Sequence, residues 1–275
     1  MYQVVKVLNN NTILSTCELQ EVIIMYKGIG FGKKMDELVD VPKAAKVYVM
    51  QKGTQDKRRS SEIVNLIDPQ YLEITSEILK VANEKFGEID EGILLPLADH
   101  ICYAMKRMEE KIMPSNPFLQ DIRLLFPDEY NVALEGRKII EDVLGKTIND
   151  DEVGYITLHI HSAITYNPVN ESMEATRIIH ESIDKLQEEL HIHIDTQSIS
   201  YVRLMNHIKF LLLRLNTNEQ LQMDISEFTK EKFPFAYEQA SSICHALSKT
   251  LKKELPENEI GYLALHLERI LSNIT

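Results

Sequence analysis

The stretch that decides the fold is Glu152-Val153-Gly154-Tyr155-Ile156-Thr157-Leu158-His159, because it occurs twice. It returns further along the chain as Glu259-Ile260-Gly261-Tyr262-Leu263-Ala264-Leu265-His266. Two further groups of residues are displaced by the same number of positions. Leu97, His100, Ile101 and Arg107 return as Leu204, His207, Ile208 and Arg214, and Phe126, Pro127 and Tyr130 return as Phe233, Pro234 and Tyr237. Three separated segments in one register indicate a tandem duplication of one domain.

The duplicated part of the chain has helical periodicity throughout. Apolar residues recur every three or four positions from Tyr71 to Phe86, and the segments that follow show the same spacing. Gly87 is predicted to end the first of these helices, and Asp151 is the candidate N-cap of the helix that carries His159. Each copy is therefore predicted to be a bundle of four or five helices, about 105 residues long.

The first fifty residues have strand periodicity instead. Short apolar and β-branched runs lie at Val4–Leu8, Thr12–Leu14, Glu21–Met25 and Lys46–Met50. The turn Asn9-Asn10-Asn11 between the first two runs is a hairpin signal, because asparagine tolerates the left-handed backbone of tight turns. A small antiparallel sheet is predicted. Fifty residues are few for an independent core, so we expect self-association through one face of the sheet.

The fold class is thus multi-domain, a small antiparallel β-sheet module followed by two all-α helical bundles in tandem. The predicted boundaries are 1–55 for the sheet module, 56–64 for a polar linker, and 65–170 and 171–275 for the bundles.

Composition describes an ordinary soluble chain of 275 residues, with 44% apolar and 26% charged residues. No secretory signal or membrane-spanning run is visible, and three cysteines without metal-like spacing suit reduced thiols, so a cytoplasmic location is expected. The net charge of −12 is unevenly spread, because residues 1–50 carry +1 and the remainder −13. The acidic body opposes wrapping by nucleic acid, whereas the near-neutral module can still bind phosphates locally.

The loop from Lys27 to Lys34 combines three glycines, three lysines and Phe31. Glycines allow close backbone approach, lysines attract phosphates, and an aromatic ring stacks on bases. A dinucleotide fingerprint is excluded, because no βαβ unit surrounds the Gly-x-Gly. Two interpretations stay open at this point: a hairpin loop with Phe31 as a core plug and solvated lysines, or a nucleic-acid contact. The asparagines are likewise turn-formers or contacts.

Each helical copy contains a corresponding pair of histidines, His100 with His159 and His207 with His266, and the spacing within the two pairs is identical. A single histidine on an apolar helix is more often a packing residue, but the survival of both in both copies favours a shared role. Phosphoryl acceptance is one such role, because imidazole is a competent nucleophile near neutral pH and the added charge can bias an assembly.

Metal binding and hydrolysis are weaker alternatives for these histidines. His159 and His161 are two residues apart, so on a helix they point in nearly opposite directions, and the second copy replaces His161 with Glu268. No nucleophile elbow or zinc-protease motif accompanies them. We expect no cofactor, no metal and no catalysis of the protein's own.

These motifs together resemble the BglG/SacY family of transcriptional antiterminators, in its glucose-type branch, over essentially the whole chain. The segments that carry the resemblance are Lys6 to Asn11, Lys27 to Lys34, Asp99-His100, Pro127 to Tyr130 and Glu152 to His159. The family has a co-antiterminator RNA-binding domain and two phosphotransferase regulation domains.

The resemblance implies a homodimer that clamps an RNA hairpin in a nascent leader transcript and so prevents a terminator from forming. The positions that match the family's RNA contacts are Lys6, Asn9, Asn11, Lys27, Gly28, Phe31, Lys33 and Lys34. Tyr26 departs from the family, since relatives often have glycine there.

The resemblance also implies phosphorylation by the sugar phosphotransferase system on His100, His159, His207 and His266. The EIIB domain of a sugar-specific permease is the implied donor to the first bundle, and the phosphocarrier protein HPr acts on the second. If Asp99 orients its neighbour His100, the second copy does so less well, because Asn206 stands there.

Two rival functions remain at this stage. A DNA-binding regulator with the same modules would need a helix-turn-helix ahead of them. A phosphocarrier enzyme would pass the phosphoryl group on to another protein.

Overall fold

The computed structural model describes residues 1–18, 20–49, 67–217, 219 and 221–273, so the linker predicted at 56–64 and Met50 lie outside the described residues. The chain divides into two compact units. One consists of residues 1–114 and 132–166, and the other of residues 115–131 and 167–275.

The first unit begins with the predicted antiparallel sheet, which is confirmed and has five strands in the order β4-β1-β2-β3-β5. Its strands are β1 (Tyr2–Val7), β2 (Thr12–Cys17), β3 (Gln20–Met25), β4 (Leu38–Val39) and β5 (Lys46–Val49). Strand β4 is absent from the sequence prediction, because two residues are too few to show a period. It pairs with the start of β1, where Tyr2 lies opposite Val39.

Because successive side chains of a strand lie on opposite faces, apolar side chains lie on both faces of the sheet. One face carries a buried cluster of Val4, Ile13, Val22, Ile24, Ile29 and Val39. On the other, Tyr48 is buried and shares a 2.7 Å hydrogen bond with the hydroxyl of Ser76 in the first helix. Burial raises the pKa of Tyr48 to about 12. The sheet is therefore covered within the chain on the face that carries Tyr48.

Ten α-helices follow in the described residues, and their bounds preserve the repeat. Helices α3, α4 and α5 reappear as α8, α9 and α10, and each of the three begins at the same offset from its counterpart. The helices are α1 (Pro69–Phe86), α2 (Leu94–Glu109), α3 (Leu119–Leu125), α4 (Pro127–Leu144), α5 (Asp150–Thr165), α6 (Val169–Leu190), α7 (Ile199–Thr217), α8 (Ser226–Lys232), α9 (Pro234–Leu251) and α10 (Glu257–Leu271).

The repeated stretch forms the first turns of α5 and α10, as predicted, but the cap of α5 is different. The side chain of Asn149 accepts a 3.0 Å hydrogen bond from the backbone N–H of Glu152. The prediction of Asp151 as N-cap is therefore wrong. Asp151 lies inside the first turn, where a carboxylate still interacts favourably with the helix dipole. Gly87 ends α1 as predicted, with a positive φ of 83°.

In the second unit, the repeated glycine allows two helices to approach closely. A Cβ atom on Gly261 of α10 would lie 2.9 Å from Cα of Ser226 at the start of α8. The backbone contact brings α10 against α8, and α10 also packs on α7 and α9. No helix in the described part of the chain has both the length and the apolar content that crossing a bilayer requires.

Candidate functional site

Five residues of each helical copy form the same constellation, at the offset that relates the two copies. In the first copy His100 and Arg107 are seven residues apart on α2, so they share one face of that helix. Glu152, Tyr155 and His159 are three and four residues apart on α5 and also share a face. The two faces meet because α2 packs on α5. The corresponding residues of the second copy, on α7 and α10, are His207, Arg214, Glu259, Tyr262 and His266.

In the first copy a buried carboxylate stands between a histidine and an arginine. Arg107 donates a 2.6 Å hydrogen bond from Nη2 to Oε1 of Glu152. Nε2 of His100 lies 3.2 Å from Oε2 of Glu152, although the two atoms are poorly aligned for a hydrogen bond. The rings of His100 and His159 are 5.1 Å apart, and Tyr155 is 5.9 Å from His100.

The second copy distributes the same contacts differently. Arg214 holds Glu259 with two hydrogen bonds, 2.7 Å from Nε and 2.8 Å from Nη2. The histidine is further away, since Nε2 of His207 lies 3.7 Å from Oε2 of Glu259. The ring centroids of His207 and His266 are 4.9 Å apart, and the two ring planes are inclined by 27°. The first histidine is thus more closely coupled to its carboxylate in the first copy than in the second.

These environments shift the pKa values of the groups. Burial favours the neutral carboxyl of Glu152, but the contacts with His100 and Arg107 outweigh it and lower its pKa. Burial, followed by the charge of His100, lowers the pKa of His159 well below its usual value. Burial lowers the pKa of His207 to about 3, with smaller contributions from His266 and Arg214. The rings of His159 and His207 are therefore neutral at physiological pH and keep a lone pair for chemistry.

All four histidines are partly exposed rather than sealed in the bundles. The side chain of His100 retains 17% of its accessible surface and that of His207 retains 9%. The rings of His100 and His207 are therefore not fully enclosed. Among the residues that the structure describes, no group of three or more histidine, cysteine or acidic side chains is placed to hold a metal ion.

The carboxylate that orients His100 differs from the one that the sequence suggests. Asp99 is exposed and precedes His100, so on the helix it points to a different side, and Glu152 contacts the ring instead. Sequence reasoning assigned no role to Glu152 or Arg107. The signal was present, because both recur at the common offset as Glu259 and Arg214.

In the sheet module, the asparagine turn (residues 9–11) and the glycine loop (residues 27–34) form one continuous surface. Gly28 donates its backbone N–H to Oδ1 of Asn11 at 3.0 Å, and Gly30 donates to the carbonyl of Asn10 at 3.0 Å. A Cβ atom on Gly30 would lie 2.1 Å from the carbonyl oxygen of Asn9, so only glycine fits there. Both predicted segments of the RNA contact are therefore adjacent.

The core-plug interpretation of Phe31 is wrong, because this ring is 75% exposed and Ile29 fills the core instead. Lys6, Asn11, Lys27, Gly28 and Lys34 are also exposed. The asparagines act as turn-formers as well, since Oδ1 of Asn9 accepts a 2.7 Å bond from the N–H of Asn11.

Two of the predicted RNA contacts are engaged with acidic side chains. Asn9 donates a 3.0 Å hydrogen bond from Nδ2 to Oε1 of Glu73 on α1. Lys33 forms an ion pair with Glu37. Tyr26 has no positive φ, so this backbone position does not require the glycine that relatives often have.

Comparison with known proteins agrees with this architecture. The model of the CAT RNA binding domain matches residues 2–57, and that of the PRD domain matches residues 72–163 and 180–270. The chain belongs to the transcription antiterminators that join a CAT RNA-binding domain to two PRD domains and are regulated through phosphorylation by the sugar phosphotransferase system.

Similar relatives cover the chain from end to end. The PtsGHI operon antiterminator of Bacillus subtilis is 30% identical over 278 residues, which are 100% of this chain and 99% of the relative. Protein GlcT of Staphylococcus epidermidis is 33% identical over 275 residues, 97% of this chain and 95% of the relative. A solved structure described as GlcT CAT-PRDI is 32% identical and covers 60% of this chain and 98% of its own, with a TM-score of 0.49.

Proposed function

We propose that the protein binds an RNA hairpin in a nascent leader transcript as a homodimer and thereby prevents a terminator from forming. Phosphorylation of His100, His159, His207 and His266 controls this activity, and the protein has no catalytic activity of its own. Its ligand is a transcript in the course of synthesis, so it acts in the cytoplasm.

One observation carries this proposal: the same constellation of two partly exposed histidines, a buried glutamate and an arginine occurs in both copies. Phenylalanine would fill the same space better than two adjacent imidazole rings do, so packing alone does not explain the histidines. They are suited to accept a phosphoryl group, which adds roughly −1.5 to −2 charge beside a buried carboxylate. That repulsion can rearrange the contact between two helices.

The donors follow from the family. We infer that the EIIB domain of a sugar-specific permease phosphorylates His100 and His159, and that HPr phosphorylates His207 and His266. When sugar uptake drains phosphoryl groups from the transport proteins, the first pair loses its phosphate and the RNA is bound.

The RNA interface is proposed to comprise the asparagine turn and the glycine loop, with Lys6 beside them. An exposed Phe31 next to lysines suits stacking on an unpaired base while the lysines contact phosphates. Among the described residues before Met50 the regular elements are all strands, which does not fit the helix-turn-helix that the DNA-binding alternative needs.

Binding of the full chain to its own leader hairpin tests the interface. The variant Phe31→Ala should bind about 5- to 150-fold more weakly, because stacking on one base is worth roughly 1–3 kcal/mol. Lys27→Ala should also weaken binding, with a reduced dependence on salt concentration. Lys43→Ala is the matched control, an exposed lysine of the same module outside both segments. Unchanged affinity in both Phe31→Ala and Lys27→Ala would remove this interface.

A further inference from the structure

The four histidine rings do not present the same nitrogen to the outside. Nε2 of His100 and of His207 is fully enclosed and makes no hydrogen bond. In the other member of each pair the enclosed and unpaired atom is Nδ1, in both His159 and His266. The opposite nitrogen of each ring is not enclosed in this way, and no hydrogen bond to it occurs among the described residues. The pattern is the same in both copies.

The carboxylate explains the orientation of the first ring in each pair. Nε2 of His100 faces Oε2 of Glu152 at 3.2 Å, and Nε2 of His207 faces Oε2 of Glu259 at 3.7 Å. Although neither contact is a hydrogen bond, the negative charge of the carboxylate favours the hydrogen on the nearer ring nitrogen, Nε2, which leaves the lone pair on Nδ1. Glu152 and Glu259 are themselves held by Arg107 and Arg214, which fixes the direction of the contact.

The second ring of each pair is turned the other way. Nδ1 of His159 is enclosed by the protein, and burial disfavours a charged ring there. Nε2 of the same ring is not enclosed. His266 repeats this arrangement. A donor protein that approaches either pair therefore meets Nδ1 of one ring and Nε2 of the other.

Building on the proposed phosphorylation, we propose that the two histidines of each pair accept the phosphoryl group at opposite ring nitrogens. His100 and His207 accept it at Nδ1, and His159 and His266 accept it at Nε2. Glu152 and Glu259 are positioning residues for the first of these reactions.

The transfer is balanced in both cases. The free lone pair of the acceptor nitrogen forms the bond to phosphorus, and the bond from phosphorus to the donor's nitrogen or sulfur breaks, leaving its electron pair on the donor. In His100 the positive charge that develops on the ring is stabilised through Nε2–H by Glu152. In His159 the ring keeps its Nδ1 hydrogen, and the phosphoryl dianion that it now carries balances the charge.

The isomers of phosphohistidine can be measured directly on the full chain. One variant, His159→Ala with His266→Ala, keeps only the first ring of each pair, and another, His100→Ala with His207→Ala, keeps only the second. Both are incubated with HPr and with an EIIB domain, each charged from phosphoenolpyruvate, and are then unfolded in alkali for phosphorus NMR. A variant without all four histidines is the control for labelling elsewhere.

The first variant should contain only the Nδ1 isomer and the second only the Nε2 isomer. The opposite isomer in either variant overturns the inference for that ring, as does the lack of label in a variant when the unmodified chain is labelled. If the unmodified chain itself gives no phosphohistidine with either donor, the proposed function fails and this inference fails with it.

A second measurement needs no donor. Two-bond proton–nitrogen correlation NMR on the unphosphorylated chain, labelled with ¹⁵N in its histidines, reports which nitrogen bears the hydrogen. We expect the Nε2–H tautomer in His100 and His207 and the Nδ1–H tautomer in His159 and His266. The reverse assignment contradicts the inference even if phosphorylation itself is observed.

Discussion

Arg214 holds Glu259 with two hydrogen bonds, at 2.7 and 2.8 Å, and the carboxylate is 3% exposed. A buried carboxylate is tolerable only while its partner is present, because removing that partner leaves an uncompensated charge. In the first copy Arg107 makes one such bond to Glu152 rather than two. The second constellation therefore depends more strongly on its arginine.

Arg214→Met should lower the free energy of unfolding by about 3–5 kcal/mol, since it leaves Glu259 buried and unpaired. Urea unfolding followed by helical circular dichroism measures the change. Arg203→Met is the matched control, because Arg203 is an exposed arginine on the same helix. Adding Glu259→Leu to Arg214→Met should restore much of the stability, and a stable single variant would show that the pair does not support the fold.

The stability of the chain should depend on pH through His207. Its pKa is about 3 in the folded protein, against the ordinary value of 6.5, so between these values the unfolded chain binds one more proton. The free energy of unfolding contributed by this ring is therefore complete above pH 6.5 and falls as the pH is lowered. Between pH 7 and 5.5 the loss is about 1 kcal/mol.

The control for that pH effect is His207→Gln, which does not titrate. Urea unfolding at pH 7 and at pH 5.5 should show a smaller pH dependence in His207→Gln than in the unmodified chain, by about 1 kcal/mol. Equal dependence in the two proteins would mean that the folded pKa of His207 is not lowered.

Glu152→Gln should slow phosphorylation of His100 while leaving the fold intact. Glutamine keeps the size and can accept the bond from Arg107, but it has no negative charge to stabilise a positive ring 3.2 Å away. We expect the rate to fall about tenfold, which corresponds to about 1.4 kcal/mol of the barrier. Initial rates with a charged EIIB domain, in a background of His159→Ala, measure this. Asp99→Asn is the control, because it removes the neighbouring exposed charge and should have no such effect.

Glu73→Ala should strengthen RNA binding by the unphosphorylated chain. The contact of 3.0 Å between Asn9 and Glu73 occupies a side chain that the proposed interface needs, so removing the glutamate releases Asn9. An effect of about two- to tenfold corresponds to one hydrogen bond. Glu84→Ala, which removes an exposed acid from the same helix, controls for net charge. Weaker binding in Glu73→Ala would mean that the contact supports the RNA-binding conformation instead.

Much of this fold is predictable from the sequence, because the repeat relates residues that are far apart in the chain. The constant offset between the two copies predicts the helices of both and pairs the histidines before any packing is known. The role of Glu152 is not predictable in the same way. That role depends on how closely α2 and α5 approach each other and on how each helix is rotated about its axis. A glutamate in the first turn of a helix ordinarily interacts favourably with the helix dipole while it stays solvated.

The errors in the sheet module have a similar cause. Phe31 and Ile29 are two residues apart in an irregular loop, and no period shows which of them turns inward. The loop geometry decides it, through backbone hydrogen bonds from Gly28 and Gly30 to the asparagine turn. Strand β4 likewise exists only because β1 offers it a partner.

The measurement that tests the central claim most directly is the affinity of the full chain for its leader hairpin before and after phosphorylation by a charged EIIB domain. The protein should bind the hairpin when His100 and His159 are bare, and should bind at least tenfold more weakly when they are phosphorylated. The variant His100→Ala with His159→Ala should bind RNA equally well with or without the donor. If phosphorylation of the unmodified chain leaves the affinity unchanged, or if the variant still responds to the donor, these histidines do not control RNA binding.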